Sequence, residues 1–142
     1  MTPEHIFSVL EKVAISSPER RYRLAAAVVF RGRIISIGQN SFCSNPFQAK
    51  YASNPERIFW HAEANSIHRA LKEFNRDFLK KCSLYVCRVK YENSRKRNFI
   101  TGNSFPCAGC WRCINDFGIK QVWHTLDGSS EHRNKYALLQ CE

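Results

Sequence analysis

The chain has 142 residues, 44% of them hydrophobic, which suits one compact domain with one core and excludes a disordered chain. A net charge of +10 and a pI of about 9.5 point toward anionic partners such as nucleotides, nucleic acid or phosphates. The longest clean apolar run, residues 24–30, is far short of a membrane span, and seven unevenly spaced cysteines do not read as a disulfide framework.

Pro3 followed by Ile6, Leu10 and Val13 has helical spacing and predicts a helix over 3–15, ended by Ser16, Ser17 and Pro18. This segment carries Glu4 and Glu11 and lacks the basic head and apolar stretch of a signal peptide, so a cytoplasmic location is expected. Residues 24–30, rich in Ala and Val, suit a strand buried on both faces. Arg31 and Gly32 read as a tight turn into a second strand over 33–39, giving a hairpin. Residues 40–60 show no periodicity and are expected to form a long functional loop. A helix follows over about 62–75, with Ala64, Ile67, Ala70, Leu71 and Phe74 as its apolar positions. Residues 83–89 predict a third strand. Residues 90–104 predict a polar excursion with a basic cluster, Arg95 to Arg97, and a turn at Gly102-Asn103. Pro106 opens another helix over about 107–117, stopped by Gly118. A fourth strand is expected over 119–125 and a turn over 127–130. The tail 131–142 fits a strand or a helix. Strands alternating with helices predict a layered α/β domain around a mixed sheet.

Two short patterns carry chemistry. His61-Ala62-Glu63 opens one predicted helix, and Pro106-Cys107-Ala108-Gly109-Cys110 opens another. Zinc takes four tetrahedral ligands, and a catalytic site leaves one position for water, so His61, Cys107 and Cys110 supply a complete protein set for one ion. Two cysteines three apart meet one ion at a helix start, where unpaired backbone amides stabilise thiolates. Glu63 lies about 200° around the helix axis from His61, yet in the first turn both reach one pocket. There Glu63 serves as a proton shuttle and not as a ligand. A lone Cys-x-x-Cys is often structural or redox, and a lone His-x-Glu is usually a surface helix start. Together, in this order, they match the signature of zinc-dependent nucleobase deaminases. Cys113 extends the cysteine series by one turn and is read as helix packing. Cys43, Cys82, Cys87 and Cys141 are read as ordinary thiols, and His68 as a helix-surface or packing residue.

On these motifs the chain resembles the cytidine and deoxycytidylate deaminase superfamily over about residues 20–128. Residues 24–40 look like that family's first two strands. His61 to Ile67 looks like the deoxycytidylate branch, whose metal motif starts with His. Ser83 to Val86, Phe105 to Cys110 and Phe117 to Val122 complete the match. The likeness is greatest to small phage and bacterial deoxycytidylate deaminase-like proteins. It implies a three-layer α/β/α fold with a central mixed sheet of about five strands. It implies one zinc ion on His61, Cys107 and Cys110, with Glu63 as acid and base. Asn40 then contacts the sugar, the backbone of Ala62 contacts the base, and Phe105 walls the pocket. A homo-oligomer is also implied.

The favoured substrate is a free cytosine nucleotide of the dCMP type, with Arg20, Arg21, Arg23 or Lys50 supplying charge near its phosphate. The alternative is cytosine or adenine in single-stranded DNA or RNA. It draws on the high positive charge, on Arg95 to Arg97 and on Trp60, Phe105, Trp111 and Trp123 as stacking rings.

Overall fold

Alternate residues of one central strand face two different helical layers. The computed structural model describes residues 1–52, 59–95, 98–128 and 135–140. Strand β1 (Arg23–Phe30) places Ala25, Ala27 and Val29 against helix α1 (Pro3–Ile15), where Ile6, Phe7, Leu10 and Ala14 bury their side chains. Its other phase, Ala26 and Val28, faces helices α2 (Pro46–Tyr51), α3 (Ala62–Ala70) and α5 (Ala108–Asp116). Strand side chains alternate between faces, so a run without polar residues must be buried on both sides. The result is the expected three-layer α/β/α arrangement.

Among the described residues the sheet has six strands, ordered β2-β1-β3-β5-β6, with β4 paired to β3 off this path. β2 (Arg33–Gln39) forms the predicted antiparallel hairpin with β1. β3 (Ser83–Tyr91) pairs antiparallel with β1 from Ser83 to Val89. Its first half also pairs parallel with β5 (Gln121–Leu126), and its last residues pair antiparallel with β4 (Phe99–Gly102). β6 (Lys135–Gln140) closes the far edge against β5. No helix of the described residues is long and apolar enough to cross a membrane.

Three expectations need correction, and one open reading is decided. The stretch 40–60 contains α2, capped by Asn45, whose Oδ1 accepts from the Phe47 amide at 2.8 Å. The helix read over 62–75 ends at Ala70, and after a turn Asn75 caps a separate short helix, α4 (Arg76–Leu79). The excursion 90–104 contains β4, so Gly102 is a strand residue and not a turn. The tail, which fitted a strand or a helix, contains the strand β6. The last two strands are edge elements of four and six residues, short enough that pairing rather than propensity decides them.

Close approach fixes α3 on β2. A Cβ on Gly38 would lie 2.5 Å from the Ser66 amide nitrogen and 2.9 Å from the Ala62 carbonyl oxygen. Ser36 Oγ donates to the Ser66 carbonyl at 2.7 Å, and Asn65 Nδ2 donates to the Gln39 carbonyl at 3.0 Å. Gly38→Ala must push helix and strand apart. A loss of roughly 1–3 kcal/mol is expected, as for an overpacked core, read as a lowered denaturant midpoint at unchanged slope.

Candidate active site

His61 is the N-cap of α3, and Cys107 is the N-cap of α5. Neither side chain makes a capping hydrogen bond. They turn toward each other instead. His61 Nδ1 lies 3.6 Å from Cys107 Sγ and 3.4 Å from Cys110 Sγ, and the donor atoms of the three residues lie within 4.8 Å of one another. A tetrahedral zinc ion at ordinary bond lengths separates nitrogen from sulfur by about 3.6 Å, so these spacings fit such an ion. Among the described residues, these three form the one group of His, Cys, Asp or Glu side chains close enough to hold a metal. Cys113 is fully buried in the apolar core and stays outside the cluster.

Several contacts set these positions. The His61 amide donates to Oε1 of Gln48, a buried residue of α2, at 3.0 Å. Trp60 is tied to the end of the hairpin: its carbonyl accepts from the Ser41 amide, and its amide donates to the Cys43 carbonyl. On the other side, Ser104 and Thr125 form a buried knot. Ser104 Oγ donates to the Val86 carbonyl at 2.8 Å and accepts from the Thr125 amide at 2.8 Å. Thr125 Oγ1 lies 2.6 Å from the Gly102 carbonyl and accepts from the Arg88 amide at 3.1 Å. The knot fixes the chain two residues before Pro106.

Glu63 sits in the first turn of α3, 4% exposed, the one carboxylate in the buried class among the described residues. Burial pushes its carboxyl above the usual range, against the opposing pull of His61. The two metal-facing thiols titrate as a coupled pair. Cys107 is the acidic member, lowered to about 3, chiefly by the hydrogen bond from Cys110 and then by His61. Cys110 is raised, because it donates that bond and is buried.

A cavity of about 650 Å³ opens beside the cluster. His61, Ala62, Glu63 and Cys107 line its floor side, and Asn40 and Phe105 also line it. The structure thus brings all the sequence-predicted site residues but Cys110 to one cavity, and Cys110 closes the cluster behind it. The Asn40 amide is largely committed. Its Oδ1 accepts from Ser17 Oγ and the Leu24 amide, and its Nδ2 donates to the Tyr22 carbonyl. One amide hydrogen is left for a ligand.

Sequence reasoning missed other lining residues. Tyr22, Phe42 and Phe59 are 54%, 60% and 47% exposed and line the cavity beside the expected Phe105, itself 55% exposed. Arg88 lines it too, whereas Arg20, Arg21, Arg23 and Lys50 do not. Arg23 packs over Phe99 and Tyr91 and donates to the Ile15 carbonyl. Of the four rings named as stacking candidates, Trp60 and Phe105 line the cavity and Trp111 contacts Phe105. Trp123 stacks on Tyr85 in the α1 layer, away from the site. His68 packs between Phe47 and Trp60. The basic cluster Arg95 to Arg97 lies partly, and Cys141 wholly, outside the described residues.

A three-layer fold with an imidazole–dithiol cluster beside a buried carboxylate defines the class of zinc-binding deaminase domains. The family model described as the cytidine and deoxycytidylate deaminase zinc-binding region matches residues 2–125, and the chain belongs to that family. Among solved structures, the dCMP deaminase of cyanophage S-TIM5 is similar at 22% identity and TM-score 0.55, over 86% of this chain and 82% of that one. It has also been crystallised in complex with dCMP and dUMP. The cytidine deaminase of Burkholderia pseudomallei is similar at 16% identity and TM-score 0.62, over 99% of this chain and 93% of that one. At these identities the likeness establishes the fold. No curated protein sequence gave a significant match.

The Ser104–Thr125 knot leads directly to the metal motif. Thr125→Val removes a hydroxyl that serves three buried partners. It is expected to cost about 1–3 kcal/mol in chemical denaturation, more than a surface Thr→Val elsewhere on the chain.

Proposed function

We propose that this chain catalyses hydrolytic deamination of a cytosine-bearing nucleotide of the dCMP type, giving the uracil nucleotide and ammonia. The observation that carries the reading is the buried carboxylate of Glu63 on the wall of the same cavity as His61 and Cys107. His61, Cys107 and Cys110 would hold one zinc ion. Bound there, zinc supplies Lewis acidity that brings water toward deprotonation near neutral pH. Two thiolates blunt that effect, so a neighbouring base matters more.

Glu63 is that base. It takes a proton from the attacking water and delivers it to ring nitrogen N3 as oxygen bonds to C4. It then carries a proton to the exocyclic nitrogen, the C4–N bond breaks, and ammonia leaves. C4 keeps the oxygen as a carbonyl. The overall exchange is one water consumed for one ammonia released. Within this reading the backbone of Ala62 contacts the base, Phe105 walls the pocket, and the remaining amide hydrogen of Asn40 contacts the sugar. The phage enzyme of similar fold crystallised with dCMP and dUMP supports a nucleotide as the substrate.

A second reading rests on the four exposed aromatic rings lining the cavity. Rings so placed could stack the bases that flank a cytosine or adenine in single-stranded DNA or RNA. Ammonia release from dCMP, dCTP, cytidine and a cytosine-containing oligonucleotide, assayed side by side, separates the two. Turnover confined to the oligonucleotide favours the second.

Glu63→Ala is expected to lower kcat by about 10²–10⁴-fold with zinc content unchanged. Cys110→Ala is expected to lose zinc, and Cys113→Ala to retain it, by elemental analysis of purified protein. Chelation should abolish turnover and added zinc restore it. A fully metallated protein that releases ammonia from none of the panel would overturn the proposal.

A further inference from the structure

β3 directs Leu84 and Val86 into the core beneath α3 and α5, and Arg88 is the next residue in that phase. A cation thus occupies a position where the strand pattern calls for an apolar side chain. Among the described residues that line the cavity, Arg88 is the one lysine or arginine.

Its seat is built. Gly102 stands opposite Arg88 in register on β4. A Cβ on Gly102 would lie 3.1 Å from Arg88 Cδ and 3.3 Å from Nε, so the glycine gives the arginine stem its room across the strand. The guanidinium carbon lies 5.0 Å from the centre of the Tyr22 ring, a cation–π contact that restrains it. Arg88 Nε is buried and has no hydrogen-bond partner among the described residues.

Two carboxylates share these surroundings. Asp127 is held by Lys90 Nζ at 3.0 Å and by the Asn103 amide at 3.0 Å. Glu19 lines the cavity, and its Oε1 accepts from the Arg21 amide at 2.8 Å. Among the described residues, neither comes within ion-pair distance of Arg88. A partly desolvated guanidinium with an unused donor favours an anion that brings its own oxygens.

We propose that Arg88 binds the 5′-phosphate of the substrate and so makes the site selective for nucleotides over nucleosides. The assignment rests on the deaminase reading above and adds its specificity residue. A guanidinium presents parallel N–H donors that match two phosphate oxygens, which a lysine cannot reproduce. The phosphate charge would then meet the one arginine of the cavity while the base lies toward Glu63.

The test uses the zinc-loaded full chain with dCMP and deoxycytidine as paired substrates. The wild type is expected to prefer dCMP. Arg88→Gln is expected to lower kcat/KM for dCMP by about 30-fold or more, mainly through KM, and to leave deoxycytidine unchanged. Arg88→Lys should fall between. Calorimetric binding of dUMP and deoxyuridine gives a readout independent of turnover, and only dUMP should lose affinity in Arg88→Gln. Equal use of dCMP and deoxycytidine by the wild type would overturn the assignment and leave the deaminase reading standing. So would an equal loss on both substrates in Arg88→Gln, which marks a merely structural role. Turnover of an oligonucleotide but not of dCMP would reassign the arginine to a backbone phosphodiester and overturn the free-nucleotide claim. Arg88-dependent dUMP binding in a protein that deaminates nothing would uphold the assignment and sink the deaminase reading.

Discussion

Two helices give up their N-terminal caps so that their first side chains can meet. A Ser, Thr, Asp or Asn cap is worth roughly 1 kcal/mol over a residue that does not cap. α3 and α5 both forgo it, with His61 and Cys107 at their N-caps. A metal shared by three ligands contributes on the order of 10 kcal/mol in small zinc domains, so ion binding would outweigh the loss several-fold. The helix ends still act electrostatically. Their unpaired amides favour negative charge, and the thiols of Cys107 and Cys110 and the carboxylate of Glu63 all sit at such ends.

That convergence requires both helices to lie on one face of the sheet, with their starts side by side. The core supplies this. Ala26, Val28, Leu84, Val86 and Val122 carry α3 and α5 on one face, while α1 covers the other. Gly38 lets α3 settle onto β2 at backbone distance, and Gln48 holds the amide of His61 from outside the helix. A residue in the first turn of a helix that cannot shift inherits the precision of the whole layer. The cluster is therefore a consequence of packing before it is a consequence of metal.

The chemistry of the site was legible in the sequence because it is local. His61 and Glu63 are two residues apart, Cys107 and Cys110 three, and a helix start converts each spacing into a direction. The two-faced burial of β1 was legible because an uninterrupted run of Ala and Val admits few other readings. What escaped depends on partners far away in the chain. β4 and β6 are short edge strands that exist because β3 and β5 offer them a pairing edge. α2 is six residues long and leaves little periodicity to detect. Asn40 is expected only as a sugar contact, but its amide also fastens the segment 17–24 to the end of β2. Arg88 did leave a signal, since it breaks the apolar phase Leu84, Val86 at its third position. That signal has meaning only once this face of β3 is known to open on the cavity.

The hairpin of β3 and β4 joins the two halves of the site. β3 carries Arg88 on the cavity wall, and β4 provides the glycine opposite it. The same chain then passes through Ser104, where the Thr125 hydroxyl holds the Arg88 amide, the Gly102 carbonyl and Ser104 together. Three residues later it delivers Cys107 to the metal cluster. The strand that carries Arg88 and the helix start that carries Cys107, both on the cavity wall, are thus fastened to a single buried knot. The backbone span between them is held by hydrogen bonds between two short hydroxyl side chains and main-chain groups. A site that must hold a charged group while fixing a ring beside a carboxylate needs that kind of fixed span, because a displacement of about 1 Å at the reacting atoms can cost two orders of magnitude in rate. The excursion between β3 and α5 is therefore the part of the fold that ties the strand of Arg88 to the helix start of Cys107.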